Sequence, residues 1–79
     1  MSNFIRSIGG CYVANVGFDL YENKDGTATI RPIKLGQDFP KTKWLKFKDL
    51  AAAEAAIDSI SPGLTGAQRV HALQQAWLD

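Results

Sequence analysis

The chain has 79 residues, 46% of them hydrophobic and 22% charged, with a net charge of +1. That length holds one domain (1–79) with one core, and that apolar content excludes a disordered chain. Near-neutral charge argues neither for nucleic acid nor for a membrane, no apolar run approaches the ~18 residues of a membrane span, and the opening "MSNFIRSIGG" carries no signal-peptide core.

"NFIRSI" (residues 3–8) is short, β-prone and closed by Gly9-Gly10, which reads as a first strand. Residues 12–22 then alternate with period two. Tyr12, Ala14, Val16, Phe18 and Leu20 fall on a core face, and Val13, Asn15, Gly17, Asp19 and Tyr21 on the other. Asn23-Lys24-Asp25-Gly26 suits a type I turn followed by glycine in the left-handed region, the three-residue hairpin loop. That loop sets a register: Tyr21 opposite Thr29, Leu20 opposite Ile30 and Asp19 opposite Arg31, where the two charges can hold each other. A one-residue slip would set Leu20 against Thr29 and lose the match.

The third strand, residues 27–35, contains Pro32, which cannot donate to a ladder and so marks an edge or a bulge. A bulge there would return Ile33 and Leu35 to the core. Residues 42–48, "TKWLKFK", form a fourth strand, with Leu45 and Phe47 on one face and Trp44 and Lys46 on the other. The period then becomes helical. Leu50, Ala53, Ile57 and Ile60 make an apolar stripe in an alanine-rich segment capped by Asp49 and ended by Ser61-Pro62-Gly63. A second helix starts at Thr65, where Thr65 and Gln68 fit a capping box, and carries Val70, Leu73 and Trp77 on one stripe. The expected fold is α+β in the order ββββαα: a four-stranded antiparallel sheet with both helices on one face. The other sheet face is left for solvent or a partner, with Tyr21, Asp19, Asn15, Thr29, Arg31 and Lys34 as the candidate binding residues.

No catalytic constellation stands out, so no enzyme, cofactor or metal is expected. His71 is the only histidine and reads as a helix-surface residue. Cys11, the single cysteine, has no base partner and reads as a small strand hydrophobe; it cannot form an internal disulfide, which fits a reducing cytoplasm. "SIGG" and "SPGLTG" do not match phosphate-binding spacings, and the carboxylates are scattered.

Charge is uneven along the chain. Residues 25–48 carry Arg31, Lys34, Lys41, Lys43, Lys46 and Lys48 against Asp25 and Asp38, and residues 49–79 are acidic. Lysines interleaved with Trp44 and Phe47 could meet phosphates and stack bases. The plainer reading is an edge strand protected by lysines, with Phe47 in the core.

Set in order, "FIR" (Phe4 to Arg6), "YEN" (Tyr21 to Asn23) just before the turn, the spacing from Phe47 to Pro62-Gly63, and Arg69-Val70 early in the second helix resemble small phage-type anti-CRISPR proteins of type I-F. The resemblance implies a four-stranded sheet backed by two helices and inhibition without catalysis. The partner it implies is the backbone subunit of a type I CRISPR surveillance complex (Cascade), whose guide RNA is kept from pairing with target DNA. A monomer in the bacterial host cytoplasm is expected, and the near-neutral charge with the acidic tail predicts no direct high-affinity nucleic-acid binding. Tyr21 corresponds to a contact tyrosine. A second contact tyrosine falls at Ser7, and a contact glutamate on strand three has no match, the region holding Arg31 or Lys34. Pattern alone leaves Tyr21 either a cross-strand neighbour of Thr29 or an interface residue; the resemblance favours the interface. A nucleic-acid module using Lys41, Lys43, Lys46 and Lys48 is the alternative, and a phage accessory protein with another partner is a third reading.

Overall fold

The Gly26 N–H donates to Asn23 O at 3.0 Å, and the Asn23 N–H donates to Thr27 O at 2.7 Å. Gly26 takes φ +90, a conformation that a side chain would strain. This is the three-residue hairpin loop that the sequence predicts. It appears in a computed structural model that describes residues 2–8, 16–34, 36 and 39–78. The loop joins β2 (Val16–Glu22) to β3 (Ala28–Lys34), preceded by β1 (Asn3–Ile8) and followed by β4 (Leu45–Phe47). Helices α1 (Leu50–Ile60) and α2 (Gly66–Trp77) complete the chain. The sheet is an antiparallel meander in the order β1-β2-β3-β4, so the ββββαα expectation is met.

The β2–β3 register runs unbroken from Glu22↔Ala28 to Val16↔Lys34 and includes the expected Tyr21↔Thr29, Leu20↔Ile30 and Asp19↔Arg31. Val16, Phe18, Leu20, Ala28 and Ile30 are buried on one face, beneath Ala53 and Ile57 of α1 and Val70 and Leu73 of α2. Leu45, Phe47, Leu50, Ile60 and Trp77 pack around them. Helix α1 lies against β3 and β4, and α2 against β2.

Pro32 lies in no bulge; it pairs with Phe18 in regular register. The Asn23–Thr27 bond shows why this is tolerated. Ladder alternation from that pair turns the amide positions of Ala28, Ile30 and Pro32 away from β2, toward β4. Strand β4 pairs only with Ala28, Thr29 and Ile30, so among the described residues no strand partner stands where the proline lacks its N–H. The edge reading holds locally, and the return of Ile33 to the core does not: Ile33 is half-buried on the Arg31 face. Leu35 lies outside the described residues. The fourth strand is also shorter than expected. Residues Lys41–Lys43 form a 3-10 turn after Pro40, and the ladder starts only at Leu45.

The irregularity falls instead on β1, where the register shifts between Phe4 and Arg6. Phe4 faces Tyr21, while Arg6 faces Leu20 and Ile8 faces Phe18, so the extra residue Ile5 turns Arg6 and Ile8 to the helix side. Arg6 then forms a two-pronged contact with Glu54 of α1, at 3.1 Å from Nε and 3.0 Å from Nη2. Both side chains are more than a third exposed, so the pair contributes about 0.2–1 kcal/mol and serves mainly to tie the edge strand to the helix.

Asp49 caps α1 as expected, accepting the Ala52 N–H at 2.7 Å, a bond worth about 1 kcal/mol. Ser61 closes the helix, its hydroxyl donating to Ile57 O at 2.7 Å. The Thr65–Gln68 capping box does not form, because Thr65 makes no side-chain cap bond. Gly66, the first residue of α2, has φ +54, so the turn that should receive the threonine oxygen is not yet right-handed there.

Trp77 sits edge-on to Phe18, with centroids 5.4 Å apart, and tilted against Phe47 at 6.4 Å. It closes the core where α2 meets β2, and its ring reaches Phe47 of β4. Trp77→Ala should destabilise the domain by about 3 kcal/mol, the low end for a large ring that is only partly enclosed. An unchanged urea midpoint would show that the ring carries no packing energy.

Candidate functional site

Both helices cover one face of the sheet, so the other face is open. The β2–β3 pairing brings Asp19, Tyr21, Thr29 and Arg31 together on this face, as the alternation predicts. Asn15 lies outside the described residues. Lys34 is a correction: it pairs with the buried Val16, and its parity therefore places it on the helix side, exposed at the end of the strand.

Tyr21 is half-buried rather than free. Its ring meets Phe4 of β1 edge-on at 5.7 Å, and its hydroxyl donates to Asp19 Oδ2 at 3.4 Å, a long and weak bond. Such aromatic pairs add about 0.5–1.5 kcal/mol beyond buried area, so Tyr21 is held in one orientation. The expected Asp19–Arg31 ion pair is absent among the described residues, although the two residues stand opposite each other. The Arg31 guanidinium carbon lies instead 5.5 Å from the centroid of the Trp44 ring, and Lys41 Nζ lies 5.7 Å from the same centroid. Each contact contributes about 0.5–1 kcal/mol at an exposed site, which matches or exceeds a solvated ion pair.

Trp44 reaches this face through the Lys41–Lys43 turn, closed by the Trp44 N–H donating to Lys41 O at 3.1 Å. The backbone then enters β4, where Lys46 pairs with Thr29. The result is a hollow of about 540 Å³. The hairpin lines it with Tyr21, Asn23, Asp25 and Thr27, and Arg31, Lys41, Trp44 and Lys46 line the rest. Thr29 is the floor and is buried, so it is not a contact residue of its own.

The hairpin wall is a hydrogen-bond network. Asn23 Nδ2 donates to Thr29 Oγ1 at 2.8 Å and to Thr27 Oγ1 at 3.0 Å. Ser2 donates to Asn23 Oδ1 at 2.6 Å. Asp25 accepts from the Thr27 hydroxyl at 2.6 Å and from the Thr27 N–H at 3.0 Å. These bonds, the hydroxyl first, hold the Asp25 carboxyl below its ordinary value of 3.8.

The alternation within β4 places Trp44 and Lys46 on its outward side, but nothing in the sequence joins them to Tyr21. Phe4 was likewise unassigned. Lys43 and Lys48, grouped with Lys41 and Lys46 in the nucleic-acid reading, do not line the hollow. His71 is exposed on α2, and Cys11 lies outside the described residues. No three metal-ligating side chains converge among the described residues, and no helix is long and apolar enough to cross a membrane. No family model, no curated protein and no solved structure matches the chain.

Asn23→Ala should destabilise the domain by about 1–2 kcal/mol, because it strips the buried Thr29 hydroxyl of its donor. Urea unfolding of the variant measures this directly. Asp25 binds its proton less readily folded than unfolded. Its contribution is therefore present above pH 3.8 and is lost as pH falls through the lowered folded value. Asp25→Asn should flatten the stability profile in that window, and an identical acid profile for both proteins would exclude the Thr27 bonds as the cause.

Proposed function

We propose that the protein is a non-catalytic inhibitor that docks through its open sheet face. The partner it fits is the backbone subunit of a type I CRISPR surveillance complex, and docking there would keep the guide RNA from pairing with target DNA. It would act as a monomer in the bacterial host cytoplasm. One observation carries the docking face: Tyr21 stands on the uncovered side of the sheet, fixed by Phe4 and Asp19 before any partner arrives. An ordered aromatic buries large area on binding while losing little side-chain freedom. The choice of partner rests on the resemblance of "FIR" and "YEN", now seen as adjacent strands with Phe4 opposite Tyr21. Ser7, where a second contact tyrosine would fall, pairs with Asp19 and so shares this face.

A nucleic-acid module is the second reading. The observation that favours it is the approach of Arg31, Lys41 and Lys46 to one aromatic residue. Against it, the overall charge is only +1 and the remaining lysines of the run do not join the hollow.

Affinity for purified type I complexes, and target-DNA binding by those complexes, test the first reading. Tyr21→Ala should weaken complex binding by about 2 kcal/mol, roughly thirtyfold. It should cost the fold only about 1 kcal/mol through the lost Phe4 contact. A folded variant that binds at wild-type affinity would remove this face from the interface. A wild-type protein that binds no such complex would remove the partner.

A further inference from the structure

Three cations line the far wall of the hollow, and none of them has a carboxylate within ion-pair distance among the described residues; the Arg6–Glu54 pair lies on the other side of the sheet. Asp25 stands on the opposite wall of the same hollow and acts on Lys46 through space without pairing with it. Asp19, opposite Arg31, accepts from Tyr21, and Asp25 is held by Thr27. Trp44 positions Arg31 and Lys41 through the face of its ring, and their N–H donors have no partner among the described residues. The opposite wall carries Asn23, Thr27 and Asp25, whose side chains are bonded to one another and to Thr29 and Ser2, so the ligand is held from the cationic side.

We propose that this basic wall receives a carboxylate side chain from an acidic segment of the protein partner. The inference rests on the reading that the open sheet face docks a protein. Charge complementarity selects an acidic ligand, and the shape of the site selects a protein over a nucleic acid. The three cations line one hollow, and the other lysines do not extend them into a stripe that could follow successive phosphates. Lys34 is turned to the helix side, and Lys43 and Lys48 do not line the hollow. The indole face covered by Arg31 and Lys41 is not free to stack a base. The planar guanidinium of Arg31 can grip one carboxylate with two parallel bonds while Lys41 and Lys46 add charge around it.

The chain has two tryptophans, so Trp77→Phe assigns the indole N–H signal of Trp44. Titrating the labelled protein with a hexaglutamate peptide should shift that signal, and hexalysine should not. Arg31→Gln and Lys41→Gln should each weaken the hexaglutamate response several-fold, with melting curves establishing that the variants are folded. An oligothymidylate of equal charge should bind about tenfold more weakly than hexaglutamate. No shift with hexaglutamate would overturn the proposal. Equal or tighter binding of the oligothymidylate would overturn it in favour of nucleic acid. A second arm uses the surveillance complex. Arg31→Glu with Lys41→Glu should weaken complex binding about tenfold or more, and more steeply at low salt. If Tyr21→Ala weakens binding and the double reversal does not, the docking face stands and the acidic segment falls. If the wild type binds no complex, the proposed partner falls, and the peptide titration still decides the ligand class.

Discussion

The register of the β2–β3 hairpin is the constraint on which the rest of the molecule depends. It is set by a loop whose last residue, Gly26, must take positive φ, and it is secured by the Asn23 amide bridging Thr27 and Thr29. With this register, Phe18, Leu20 and Ile30 face the helices while Tyr21, Thr29 and Arg31 face away. A shift by one residue would exchange the two sets along the strand. Core and candidate site are therefore the two sides of one alignment, and the polar network on the open side helps to hold the apolar pattern on the other.

Two helices can cover only one face of this sheet. In so short a chain the open face must supply its own order without a second core. It does so with aromatic contacts at its two margins: Tyr21 against Phe4 toward β1, and Trp44 beneath Arg31 and Lys41 beyond β3. The first margin is apolar and the second cationic, so the face presents two chemistries to anything that docks. The bulge at Ile5 contributes to both layers. It keeps Phe4 beside Tyr21 while sending Arg6 to Glu54 on the helix side.

Much of this was legible along the chain. Alternation in β2, the turn residues, the Asp49 cap and the alanine-rich helix each act within a few residues, and each is found as read. The misreadings share a different origin. Thr65 fits a capping box by spacing, but Gly66 enters α2 with positive φ. Asp19 and Arg31 stand opposite each other, yet Arg31 has a second suitor in Trp44, delivered by a turn that the strand reading did not foresee. Lys34 shares the face of Arg31 only if Pro32 forms a bulge, and the unbroken register past Pro32 puts them on opposite faces.

By itself the sequence determined the element order, the hairpin register and the division of β2, of β4 and of β3 before Pro32 into a core side and an outer side. Those properties follow from the two-residue period of a strand, the 3.6-residue period of a helix and the backbone freedom of one glycine, all of which are local. Only the tertiary structure decided which outer residues meet. The early end of β4 beside Pro32 and the 3-10 turn after Pro40 bring Trp44 and Lys41 to Arg31, and the bulge at Ile5 sets Phe4 on Tyr21. Such meetings depend on how separate strands are aligned across the sheet, and no periodicity within a single strand encodes that alignment.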